Sequence, residues 1–399
     1  MEYRPIPDDD AGDELFVRYV QYAFQPTRGP DVSEALEADD RPDPPRFRRG
    51  LYPDEGDEPV TILSSYDFTT RLRGTTLSMG GVSTVATPPE HRRNGYVATL
   101  LRELCREYRE GGTPISALWP FEHPFYRKYG WATCNRYLDW SAAPSDLRAA
   151  ASEPAGEWRQ LDRDDWEPLD AVHDAAMAGY ELAVDRTGEW WTERVLRSWQ
   201  TDPFVYCWFD DAGTPRAHLV YTVTGDWGDR TLKVQEQGAA DAEAFGHVLR
   251  FLADHDSQVK AVEFSTDTDA GLLDRVADPR KLDCTVEAGP MFRLVDVEAT
   301  CSALSYPTDG EVVVALDDPL LPEVTGSYAL SVADGRATCE RTDAPAAAET
   351  DVGAFSQLVC GYRSAETLAT AGELTADADA LATLDALFPK ATPLLKEGF

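Results

Sequence analysis

Residues 79–108 limit what this chain can fold into more than any other stretch. Met79-Gly80-Gly81-Val82-Ser83-Thr84-Val85-Ala86-Thr87 is an apolar, β-branched run that stops at Pro88-Pro89. A basic turn with one glycine follows, His91-Arg92-Arg93-Asn94-Gly95-Tyr96. Val97, Leu100, Leu101, Leu104, Cys105 and Tyr108 then recur at i, i+3, i+4, i+7, i+8 and i+11, the spacing of an amphipathic helix. Strand, turn and helix start together predict an anion cradle. Free backbone N–H groups and the positive end of the helix dipole converge there, and Gly95 lets the backbone approach a ligand closely. Arg92 and Arg93 add charge-assisted donors suited to a pyrophosphate. No Gly-Lys-Ser/Thr follows, so this is not a Walker loop, and Gly-x-Gly-x-x-Gly is absent.

Composition narrows the partners. The 399 residues suffice for two or three domains, and 43% hydrophobic content excludes disorder. Asp and Glu number 71 against 37 Lys and Arg, a net charge of −34, and only six of the basic residues are Lys. Acidic residues spread along the whole length, with so little Lys, predict a surface adapted to concentrated salt, where self-repulsion is screened. That charge argues against nucleic acid or an anionic membrane as partner. Seven scattered cysteines without a C-x-x-C pair suggest reduced thiols in a cytoplasmic protein, and the six histidines offer no metal spacing. The acidic start MEYRPIPDDDAGD does not read as a secretion signal, and no apolar run approaches a membrane span.

The order of elements predicts an α/β (α+β) chain of three units. A helix over 12–24, a Pro- and acid-rich loop over 36–58, strands over 60–72 and 75–87 turned at Gly74, a helix over 97–110 and a buried strand over 113–120 form the first. Phe121-Glu122-His123-Pro124-Phe125-Tyr126-Arg127-Lys128-Tyr129-Gly130-Trp131 closes it, with Phe125 and Trp131 expected in the core. The second repeats strand–helix–strand at 231–236, 240–254 and 259–265, but its turn, Gln237 to Ala242, has no basic residue and carries Asp241. Such a turn should not hold a pyrophosphate. The third has strands over 311–317, 326–333 and 336–341, a turn at Asp334-Gly335 and a helix from 352 capped by Asp351.

The Arg92-Arg93-x-Gly95 turn and the Phe125-Tyr126…Gly130-Trp131 segment resemble the GCN5-related N-acetyltransferases (GNAT). The whole chain resembles their Eis family: two tandem GNAT folds with mixed sheets, then a sterol-carrier-protein-2-like (SCP2-like) α+β domain. The resemblance implies domains at 1–147, 148–292 and 293–399, the second without a cofactor. It implies acetyl-CoA as cosubstrate, held by Val85, Ala86 and Thr87, by Arg92, Arg93, Asn94, Gly95, Tyr96, Val97 and Ala98, and by Phe121 and Glu122. It assigns Tyr126 as general acid and the terminal carboxylate of Phe399 as general base, with no metal. Acetyl would pass by direct attack to a primary amine of the aminoglycoside, polyamine or lysine type, in a homohexamer. A terminal carboxylate near its usual pKa of about 3.5 is a poor base, and burial would raise it; the ordinary alternative is a frayed chain end. If the terminus is not the base, Glu122 is the next candidate. A different class stays open: a non-catalytic small-molecule or lipid-binding protein on a residual acetyltransferase fold.

Overall fold

A computed structural model describes all residues except 34–35, 37–41, 57 and 199–200. Three sheets organise the chain. The first runs in the order β1 (Glu2–Pro5), β2 (Phe47–Tyr52), β3 (Thr61–Leu72), β4 (Thr75–Ala86), β5 (Ile115–Leu118), β15 (Met291–Leu294) and β6 (Ala132–Thr133), with β9 (Val184–Asp185) paired to β3. The second runs β14 (Asp283–Ala288), β7 (Arg136–Ala142), β13 (Ala261–Thr266), β12 (Thr231–Ala239), β11 (Pro215–Thr224), β10 (Phe204–Phe209) and β8 (Glu157–Gln160). The third is β18 (Arg336–Arg341), β17 (Gly326–Ala333), β16 (Gly310–Asp317), β19 (Ala348–Asp351) and β20 (Leu374–Ala376).

The first two sheets exchange strands. β15 lies between β5 and β6, antiparallel to both, although it follows the second unit in sequence. β7 lies between β13 and β14, although it directly follows the first unit. The parallel pairings of these two sheets, β4 with β5 and β12 with β13, are each bridged by a helix: α2 (Tyr96–Glu110) and α5 (Ala242–Ala253). The other helices used below are α1 (Asp10–Phe24), α3 (His123–Arg127), α4 (Glu167–Met177) and α6 (Val352–Val359).

The helical stripe read from the sequence is the buried one: Leu100, Leu101, Leu104, Cys105 and Tyr108 face the first sheet. The β3–β4 hairpin turns on Arg73 and Gly74, both left-handed (φ 45° and 73°), the geometry that matches strand twist. Asp351 caps α6, accepting from Ala354 N at 2.8 Å.

The expected loop over 36–58 lies partly outside the described residues, and its later part is strand β2. Prolines and acids flank this run, but inside it Leu51 and Tyr52 are buried. Its two guanidinium groups reach acids on neighbouring elements: Arg48 to Asp13 at 2.6 Å and Asp8 at 2.9 Å, and Arg49 to Glu107 at 3.0 Å. Tertiary partners thus hold a strand where local composition reads as loop.

The first unit and the third domain share one apolar core, which includes Leu63, Trp131, Phe292, Val359 and Phe388. Two buried arginines stitch them. Arg73 donates to the carbonyls of Val359 (2.5 Å), Leu358 (3.2 Å) and Pro389 (2.9 Å). Arg293, with no exposed surface, pairs with the equally buried Asp318 and donates to the Tyr129 carbonyl. A buried guanidinium is tolerable only when its donors are used in this way.

Candidate active site

Strand β4 carries a bulge where the ligand-binding residues were expected. Ile62 pairs with Ala86 and Ser64 with Ser83, so β4 has one residue more than β3 across this step. Thr84 takes φ 54°, uncommon for a β-branched residue, and its hydroxyl accepts from Ser64 Oγ at 3.0 Å. Strain of this kind collects at functional sites. β4 pairs with β5 only from Met79 to Val82, so the segment from Ser83 to Ala86 has no β5 partner. Thr61 Oγ1 donates to the Ala86 carbonyl (3.1 Å) and lies 2.8 Å from the Thr87 hydroxyl, fixing the strand end.

Helix α2 starts beside that strand end. Its N-cap is Gly95, left-handed at φ 79°, and no side chain caps the helix. A Cβ at Gly95 would meet nothing within 4 Å, so the cradle is open. The first-turn N–H groups therefore have no side-chain cap, the arrangement that suits an anion. Arg93 (φ 61°) is exposed and, among the described residues, has no hydrogen-bond or ion-pair partner. Arg92 differs: its Nε donates to the Thr87 carbonyl at 3.1 Å and its guanidinium lies 5.3 Å from the Tyr22 ring centre. It braces the turn, leaving Arg93 as the freer cation. Asn94 is turned inward on the His91 and Arg92 carbonyls, both at 3.2 Å.

Past β5, α3 presents Tyr126. The ring is 4% exposed and meets Phe121, Phe125 and Trp131 edge-on. Burial, and then the neighbouring Tyr129, pushes its phenol above the ordinary value, so it stays protonated at neutral pH. Trp131 is fully buried and Phe125 half-buried. Arg293 braces this segment, holding the Tyr129 carbonyl and lying 4.8 Å from the Trp131 ring centre. Phe121 is 69% exposed and Glu122 is exposed.

The chain end is tied down along its length. Leu394 N donates to Glu181 O (2.8 Å), Leu395 N to Asn135 Oδ1 (3.3 Å), and Trp119 Nε1 to Glu397 O. The Phe399 ring packs against Phe68 (5.0 Å) and Tyr66 (6.0 Å). A Cβ on Gly81 would stand 3.1 Å from that ring and 2.5 Å from Phe68, so only glycine leaves the seat open. The last residue thus lies against β3 and β4, the bulged pair.

The second unit repeats the scaffold with different chemistry. β12 also bulges, at Gln235, and leaves β13 after Lys233. A cavity of about 600 Å³ opens there, but α5 is capped: Asp241 accepts from Ala244 N at 2.9 Å and pairs with Arg216. The chain's own tail enters this cleft, Lys396 Nζ lying 2.7 Å from Glu236 and 2.9 Å from the Gln237 carbonyl.

The comparisons agree with this architecture. Residues 2–134 and 182–294 match acetyltransferase (GNAT) domain families, and residues 297–396 match a sterol carrier protein domain. The fold and the cradle therefore belong to an acyltransferase of the GNAT class. N-acetyltransferase Eis of Mycobacterium tuberculosis (strain ATCC 25177 / H37Ra) is 28% identical over 339 residues, 80% of each chain. Two solved structures share the fold: a GCN5-related N-acetyltransferase from Anabaena variabilis (TM-score 0.81, 19% identity, 98% of both chains) and Eis1 from Mycobacterium abscessus (0.77, 23%, 100% of both). The chain is an Eis-like acetyltransferase with two GNAT domains and a C-terminal SCP2 domain.

The sequence reading did not single out Arg186, Trp190 and Glu397, which meet in a buried cluster behind the terminus. Arg186 stands four positions before Trp190 and 211 before Glu397, a spacing with no signature of its own.

Proposed function

We propose that the enzyme transfers an acetyl group from acetyl-CoA to a primary amine of the aminoglycoside, polyamine or lysine type by direct attack. The observation that carries this reading is the uncapped, open start of α2 beside the bulge of β4, with Phe399 seated on the same pair of strands. In it the α2 N–H groups and Arg93 hold the pyrophosphate, while Val85, Ala86, Thr87, Tyr96, Val97, Ala98, Phe121 and Glu122 border the rest of the cosubstrate. Acetyl-CoA supplies an activated thioester. The Phe399 carboxylate binds the substrate ammonium and takes its proton, freeing the lone pair for attack. Backbone N–H groups of the bulged strand stabilise the developing oxyanion. Tyr126 gives its proton to the departing thiolate, so no cysteine need act as nucleophile.

The amine class is tested by following CoA release against polyamines, aminoglycosides and lysine peptides in high KCl, with acetyl-CoA binding measured by calorimetry. Binding with turnover of at least one amine is expected; no acetyl-CoA binding would favour a non-catalytic binding protein. The −34 charge supports a salt-adapted surface. Its melting temperature should rise steeply from millimolar to molar KCl, as the Debye length falls from about 30 Å at 0.01 M to about 3 Å at 1 M. The resemblance extends the proposal to a cytoplasmic homohexamer, which sedimentation in that buffer would check.

A further inference from the structure

Glu397 is 3% exposed, two residues from the chain end, and both its oxygens are occupied. Arg186 Nε lies 2.9 and 3.1 Å from them, Arg186 Nη2 2.9 Å from Oε1, and Trp190 Nε1 donates to Oε2 at 2.9 Å. The other Arg186 terminal nitrogen, Nη1, reaches Glu236 Oε1 at 3.2 Å, and Lys396 closes the circuit on the same oxygen at 2.7 Å. His218 Nε2 stands 3.3 Å from that oxygen, its imidazole held neutral near pH 7 because burial lowers its pKa to about 4. Two cations and two carboxylates are thus hydrogen-bonded to one another in a site where the Arg186 side chain is 1% exposed, with Arg194 a further cation beside Gly398.

Burying such a circuit yields little net stability against an apolar filling of the same shape, so its use lies in fixing geometry. What it fixes is the tail. Two residues of chain span at most about 7 Å, which ties the terminus to Glu397. Trp190 also packs edge-on against Tyr66 and Phe68, the rings that seat Phe399. Glu397 is no base itself, since its oxygens already accept these bonds.

We propose that Arg186 and Trp190 are positioning residues for acetyl transfer, gripping Glu397 so that the terminal carboxylate is delivered at the bulge of β4. The inference rests on the reading of that carboxylate as the base. Arg186→Ala would strand two buried carboxylates and can unfold the site. The informative variants are therefore Glu397→Ala, which leaves Arg186 paired with Glu236, and Trp190→Phe, which keeps an aromatic ring. Glu397→Gln serves as the conservative rescue.

Steady-state kinetics and the release of free phenylalanine by a carboxypeptidase are the readouts, on full-length protein with its fold checked by circular dichroism. Glu397→Ala should lower kcat by about 10- to 100-fold, the scale on which misplacing a reacting group costs rate. KM for acetyl-CoA should stay within about twofold, Phe399 should be released at least about tenfold faster, and Glu397→Gln should recover part of both. Trp190→Phe should shift both in the same direction by less. Unchanged kcat, or unchanged protection of Phe399, in these folded variants overturns the clamp. A chain extended by one alanine after Phe399 separates the two ideas. If the extension leaves kcat intact, the terminal base is wrong; if the extension abolishes turnover while the clamp variants do not, only the clamp is wrong.

Discussion

Helices α2 and α5 occupy matching places in the two acetyltransferase units, each following a bulged strand that parts from its parallel neighbour, yet they begin differently. Helix α2 begins at a left-handed glycine with no side-chain cap, and Arg93 beside it has no partner among the described residues. Helix α5 begins at Asp241, whose carboxylate satisfies Ala244 N and is neutralised by Arg216. One helix start is left without a side-chain cap; the other is closed by the protein's own acid. The clefts differ accordingly, since Lys396 of the tail enters the second one. The two units thus share a backbone and differ in whether a side chain already caps the first-turn N–H groups, a difference that the proposed function turns on.

Four changes probe that contrast, in falling order of effect. Tyr126→Phe keeps the ring packing and removes the proposed acid of the first unit. Turnover should fall by roughly 10²–10⁴ with little change in melting temperature; undiminished turnover would move the acid elsewhere. Gly95→Asp writes the second unit's cap into the first. Its Cβ has open space, and aspartate tolerates the left-handed conformation better than most residues, so the fold should hold. Acetyl-CoA affinity should drop by about 10- to 100-fold in calorimetry, with Arg93→Ala weaker in the same direction. Equal affinity would mean the helix start is not the phosphate site.

The third test is acid. Among the described residues the second unit holds three buried histidines with depressed pKa values, His218 near 4, His173 near 2 and His247, all chiefly through burial. The unfolded chain protonates each below about 6.5, and the folded chain cannot until these lower values. Stability should therefore fall as pH drops from about 6.5 to 4, by on the order of 3 kcal/mol through His218. Replacing His218 with glutamine should flatten part of that slope in thermal melts. The smallest effect is Asp241→Ala, which should cost about 1 kcal/mol of stability through the lost cap and add no second acetyl-CoA site. Two cosubstrates per chain would break the contrast.

Much of this was legible in the sequence because it is local. The periodicity from Val97 to Tyr108 and the glycine at 95 specify helix and cradle within a few turns of chain. The cap at Asp351 and the turn at Asp334-Gly335 are equally short-range, and so is the lack of a basic residue in the turn that carries Asp241. Strand β2 was missed because its guanidinium partners lie on α1, α2 and the segment before α1, which composition does not reveal. The exchange of β7 and β15 was missed for a related reason: nothing in a short run such as Met291–Leu294 says which sheet will take it. The Arg186–Glu397 pair joins residues 211 apart, beyond any sequence pattern.

The strand exchange has a consequence for synthesis. Strand β5 leaves the ribosome well before its neighbour β15, the two lying some 170–180 positions apart. At roughly 5–20 residues per second, the first sheet waits on the order of 10–35 s with an open edge in its middle. During that wait the unit that carries the cradle is an unfinished template for the wrong strand. Its completion then awaits the tail, because the ring that fills the seat on Gly81 belongs to Phe399, more than 300 positions later. The nascent enzyme is thereby held incomplete until both β15 and Phe399 have been made.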